Sequence, residues 1–162
     1  MLSALVLAAA VLVNPLLEAG NVGGTPMVEL KPYAVTLSVA KIDSTARWYQ
    51  DVLGFELVDS KSYPEFGTRL VFLKRGEFRV ELIEDGRAKP AAERADPPAH
   101  TAILGVSQFA FRVDDIDATQ RALAARGAKF AWELQRYPDL KVAFLFVRDP
   151  ERNLIQFIQR LD

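Results

Sequence analysis

A chain of 162 residues, half hydrophobic and a quarter charged, has the size and composition of one ordinary globular domain whose core needs no staples. It contains no Cys and a single His, which excludes disulfide scaffolds, thiol catalysis, zinc fingers and any site that needs two histidines from one chain. Twenty basic side chains against twenty-one acidic ones leave no global field to draw nucleic acid or anionic lipid.

From Leu2 to Val13 only Ser3 is not apolar, and no Lys or Arg precedes Lys31. The run is too short for a stable membrane span, which takes about 20 apolar residues. Its length suits the core of a signal peptide, with small residues around Ala19-Gly20 as a cleavage region. A start at Met27 or an additional, dispensable helix are the other readings of residues 1–26. The first places the protein in the periplasm or outside the cell; a start at Met27 leaves it in the cytoplasm.

Residues 27–162 read as one domain built from two similar halves, 33–84 and 107–160. "YAVTLSV" alternates as a half-buried strand does. Asp43 or Ser44 then caps a helix whose apolar face is Ala46, Tyr49 and Val52 or Leu53, and Gly54 stands where a left-handed residue ends it. "FELVDS", "TRLVFLKR" and "FRVELIE" are three strands, the last two joined by a tight turn at Arg75-Gly76. The stretch 85–106, rich in Ala, Pro and charge, is a linker, and "AERADPPAH" within it reads as solvated. "SQFAFRV", a helix opened by Asp114 or Asp115 and closed by Gly127, and the strands "KFAWEL", "LKVAFLFVR" and "NLIQFIQ" repeat the order. Two βαβββ modules follow, an α+β fold in which each module needs the other to cover its sheet.

Trp48-Tyr49 and Leu53-Gly54-Phe55 within "VTLSVAKIDSTARWYQDVLGFELV", together with the closing "VRDPERNLIQF", resemble the vicinal oxygen chelate superfamily of glyoxalases, extradiol dioxygenases and antibiotic-sequestering resistance proteins. The resemblance covers roughly residues 33–160. It implies a curved, cup-shaped mixed sheet with the helices outside, and a homodimer. It also implies four positions that carry metal ligands in the metal-dependent members, which fall here on Ala34, Glu81, Gln108 and Gln156. A methyl group cannot coordinate, and two neutral amides beside one carboxylate compensate poorly for stripping water from a cation. The ligand set therefore points to no metal and no other cofactor.

Residues two apart in a strand share a face. With Glu81 facing the cup, so do Arg79 and Ile83; Ala34 brings Thr36 and Ser38, Gln108 brings Ala110 and Arg112, and Gln156 brings Leu154 and Ile158. The opposite parity, including Val80, Leu82, Phe109, Phe111, Ile155 and Phe157, is apolar and suits packing under helices. Glu81 is either a general base or a carboxylate paired with a cup arginine. Gln108 and Gln156 can hold a carbonyl or phenol, or bond each other. Arg79 and Arg112 can clamp a carboxylate or reach to the rim. "SYPEFG" and "WELQRYPDL" occupy matching places, so Tyr63, Phe66, Trp132 and Tyr137 can stack on a planar ligand or plug a dimer seam.

These features favour a metal-independent protein that binds, and so sequesters or detoxifies, a small polar or aromatic compound. The alternative is a lyase or isomerase of the glyoxalase type with Glu81 as base, with or without a weakly held divalent metal. No Gly-rich phosphate loop, basic stripe or nucleophile–His pair points elsewhere.

Overall fold

Val35 and Leu37 turn inward from the first strand while Ala34, Thr36 and Ser38 face solvent, so an alternation visible in the letters becomes two chemically distinct faces. The computed structural model describes residues 30–161; the N-terminal reading of 1–26 lies outside them. Among the described residues no helix is long and apolar enough to cross a membrane.

The first module contains β1 (Ala34–Ser38), α1 (Ile42–Asp51), β2 (Glu56–Tyr63), β3 (Thr68–Arg75) and β4 (Phe78–Asp85). The second repeats it with β5 (Phe109–Arg112), α2 (Ile116–Ala125), β6 (Lys129–Tyr137), β7 (Val142–Arg148) and β8 (Leu154–Arg160). Each forms a four-stranded mixed sheet, in the orders β1-β4-β3-β2 and β5-β8-β7-β6, and no barrel closes. In each, the first strand runs parallel to the last and the other pairs are antiparallel. Matching details support duplication. Both β2 and β6 carry a register slip near their start, and both end at an aromatic–Pro pair leading into one turn of 3-10 helix. Both run on through Tyr63 and Tyr137, further than the alternating stretch alone suggests.

The undersides of the two sheets share one core. Val80, Leu82, Val71 and Leu73 pack with Ile155, Phe157, Leu145 and Val147, and α1 and α2 contribute Ile42, Tyr49, Ile116 and Leu123. Each sheet would leave this apolar face in water without the other module. The Tyr49 hydroxyl donates to Asp149 Oδ2 across the modules at 3.0 Å, and both groups are buried. Burial pushes the Asp149 carboxyl above its ordinary range and is opposed by Asn153, whose backbone and side-chain N–H groups both donate to it. Burial and the Asp149 charge raise the Tyr49 phenol in turn.

The helix starts differ. Asp115 caps α2, accepting from the Ala118 N–H at 2.8 Å. Neither Asp43 nor Ser44 caps α1, which begins at Ile42 after Lys41. Its first N–H groups instead find carboxylates from elsewhere: Ile42 donates to Glu84 and Lys41 to Glu151. Asp43 is thus free for Arg69, whose hydrogen bonds hold its carboxyl below the ordinary range. At the other end Gly54 (φ 69°) lets the chain turn left-handed, with Phe55 N–H donating to the Tyr49 carbonyl as a helix-terminating loop requires.

Candidate functional site

The upper face of the first sheet is set by register. Thr36, Glu81, Phe72 and Asp59 form one row across four strands, with Ala34, Arg79 and Lys74 on one side and Ser38, Ile83, Leu70 and Lys61 on the other. Thr36 Oγ1 donates to Glu81 Oε2 at 2.8 Å. Arg79, two residues away, does not pair with that carboxylate; its guanidinium lies over the Tyr33 ring, 5.2 Å from the centroid. Among the described residues Glu81 forms no ion pair, and the Thr36 hydroxyl holds one of its two oxygens. Tyr63 and Phe66, at the end of β2 and in the turn after it, are exposed.

The equivalent row of the second sheet is Ala110, Gln156, Phe146 and Trp132, followed by Arg112, Ile158, Phe144 and Gln135. Here the face is apolar and packed. Val142, Phe144, Phe146 and Leu154 form a second buried cluster, joined by Trp132, Tyr137 and Ile158. Tyr137 stacks on Phe144 with centroids 5.3 Å apart, and Trp132 lies 5.8 Å from Phe144 and 6.3 Å from Phe146. Trp132 and Tyr137 are therefore part of a stack before any ligand arrives.

The linker covers this second face and is not solvated throughout. His100 is 2% exposed, with its ring 5.4 Å from that of Phe146. Arg148 anchors the segment, donating to Asp96 Oδ1 and to the Arg94 carbonyl, both at 2.8 Å. Arg94 in turn donates to the carbonyls of His100, Ile103 and Leu104. Neither imidazole nitrogen has a well-formed hydrogen bond. Burial holds the ring's pKa below the ordinary 6.5; the Pro98 carbonyl and the Gln108 side chain oppose this to a smaller extent, and the Arg94 and Arg148 charges add to it. Sequence reasoning missed this contact. An irregular stretch carries no periodicity to say which face it covers, and a lone His among Pro and Ala was its one signal.

The structure thus gathers Thr36, Ser38, Arg79 and Glu81 on one open face, and Gln156, Trp132 and Tyr137 on a covered one. Gln108 precedes β5, and its amide oxygen accepts from the Ser107 hydroxyl. No hydrogen bond joins Glu81 to Gln108 or Gln156. Arg112 lines a cleft beside the ends of α1 and α2.

As a divalent-ion site the four family positions fit badly. Ala34 has no donor atom, Gln108 spends its oxygen on Ser107, and Glu81 is the single anion. Among the described residues no group of three or more His, Asp or Glu side chains is placed to hold a metal.

Residues 32–157 match the family model described as the glyoxalase/bleomycin resistance protein/dioxygenase superfamily. The chain is 31% identical over 128 residues to the lactoylglutathione lyase of Haemophilus influenzae, covering 76% of this chain and 87% of that one. Among solved structures, glyoxalase I from Zea mays superposes with a TM-score of 0.63 at 22% identity, over 82% of this chain and 45% of the maize protein. TnmS3, an antibiotic binding protein from Streptomyces, superposes at 0.61 with 18% identity, over 83% and 99% of the two chains.

Proposed function

Because the chain belongs to the glyoxalase/bleomycin resistance protein/dioxygenase superfamily, we propose that it binds and sequesters a small polar or aromatic compound on the open face of its first sheet, without a metal. One observation carries this reading: the family's ligand positions hold a methyl at Ala34 and a carboxylate at Glu81 that bonds a hydroxyl. Thr36 and Glu81 offer a donor and an acceptor to a polar ligand, Arg79 and Tyr33 a cation and an aromatic surface, and Phe72 an apolar floor. The antibiotic-binding neighbour has this fold. Homodimerisation belongs to the same reading: β2, an edge strand, is exposed along its whole length, with Leu57 and Val58 more than half exposed, a surface that a second copy would protect.

A second reading, a lyase or isomerase with Glu81 as base, is favoured by the likeness to lactoylglutathione lyase and by the absence of a cation on Glu81. The two separate on one experiment. A library of small polar and aromatic compounds is screened by calorimetry against wild type and Glu81→Gln, each bound compound is recovered and analysed, and lactoylglutathione is included. Sequestration predicts binding that weakens about ten-fold in Glu81→Gln, the scale of a charged hydrogen bond, and compounds recovered unchanged. A chemically altered compound with wild type, and an unaltered one at near-equal affinity with Glu81→Gln, would replace it with the lyase reading.

A further inference from the structure

Away from the open face around Glu81, a cleft of about 350 Å³ opens between the modules, where the end of α1, the β3–β4 hairpin, β5 and α2 meet. That volume is at the small end of the ~300–1,000 Å³ range of small-molecule sites. Its floor is aromatic and aliphatic: Phe55, Phe78, Phe111, Leu123 and Phe157. Arg75, Arg112 and Arg126 line it as well, one from the first module and two from the second.

None of these three arginines has a carboxylate partner among the described residues, although most other arginines with a described contact do. Arg75 Nη1 donates to the Leu53 carbonyl, and Arg126 Nη1 donates to the Val52 carbonyl at 3.4 Å. Both guanidiniums lie beside Gly54: a Cβ there would stand 3.7 Å from Arg126 Nη1 and 4.0 Å from Arg75 Nη1. The last turn of α1 has no basic residue of its own, so some positive charge at its C-terminal carbonyls is structural. The carbonyl end of a helix carries roughly half an elementary charge, which two guanidiniums exceed before Arg112 is added. Each guanidinium has five N–H donors, and the contacts of Arg75 and Arg126 use one nitrogen apiece. Excess positive charge with unused donors above an apolar floor is the complement of an anion with an apolar body.

We propose that this cleft is a second binding site, taking an amphipathic carboxylate whose head lies among Arg75, Arg112 and Arg126 and whose apolar body rests on the phenylalanines. The site is independent of the open face around Glu81 and needs no metal. Octanoate is the test probe, titrated into the full chain by calorimetry, with octylamine as the charge control. The expected result is saturable binding of one octanoate per chain, weakened by salt, with no competition from octylamine. Arg126→Gln should weaken it about ten-fold. Ala122→Trp, which fills the cleft from an exposed position on α2 and leaves all three arginines in place, should abolish it, and Glu81→Gln should leave it unchanged. Absence of saturable octanoate binding, equal binding of octylamine, or full binding by Ala122→Trp would each overturn the proposal.

Discussion

The two modules share strand order and even the position of a bulge, yet their upper faces have opposite characters. At corresponding places Glu81 faces Thr36 and Phe72 on an open sheet, and Gln156 faces Ala110 and Phe146 beneath a tied-down linker. Backbone topology therefore does not decide which face is packed over. A few face residues do: Phe144, Phe146 and Trp132 make the second face a packing surface, whereas Glu81, Arg79 and Thr36 make the first polar, and no described segment packs over it as the linker does over the second.

The sharpest way to break that contrast is to delete its two corresponding phenylalanines. Phe146 is 1% exposed in a buried cluster, so Phe146→Ala should cost about 3–5 kcal/mol of unfolding free energy in urea titration. Phe72→Ala, at the matching but only partly buried position, should cost less than half as much. Equal losses would mean that the two faces do the same structural job. Next in size is a buried bond between the modules. Tyr49→Phe keeps the ring and removes the hydroxyl on Asp149, and should lower stability by about 2 kcal/mol in the same assay.

The linker offers a pH-dependent contrast. Burial lowers the His100 pKa in the folded chain, so just below an imidazole's ordinary 6.5 the unfolded chain binds a proton that the folded chain resists. Its contribution to stability is therefore complete above about pH 6.5 and is lost as the pH falls from there through the ring's lower folded-state pKa. Amide protection factors across residues 94–104, taken against the intrinsic exchange rate at each pH, should be lower at pH 5 than at pH 7 in wild type and change much less in His100→Phe. The smallest effect is expected on the open face: Thr36→Val removes the hydroxyl from an exposed Glu81 contact and should change stability by no more than about 0.5 kcal/mol, while weakening any ligand that Glu81 orients.

Much of this was legible in the letters where the physics is local. Alternation in "RVELIE" separated Val80 and Leu82 from Glu81, Gly54 and Gly127 marked helix ends, and the Asp114-Asp115 pair announced a cap that Asp115 supplies, because each depends on neighbours a few residues away. The start of α1 was not legible: its partners Glu84 and Glu151 lie far along the chain, and a nearby Asp–Ser pair offered the more obvious cap. The same limit hid the linker's descent onto Phe146 and the meeting of Arg75 with Arg126 over Gly54. Residue types at the candidate site were readable from sequence; which of the two faces stays open was not, since that depends on where an irregular segment packs.

The most direct test of the division between faces is amide chemical-shift mapping of the full chain with a mixture of small polar and aromatic compounds. Shifts gathered on β1 and β4 around Thr36 and Glu81, with Phe144 and Phe146 unmoved, are the predicted result. Shifts centred on Trp132 and Phe146, with the linker around His100 displaced, would contradict it and make the covered second face the binding surface.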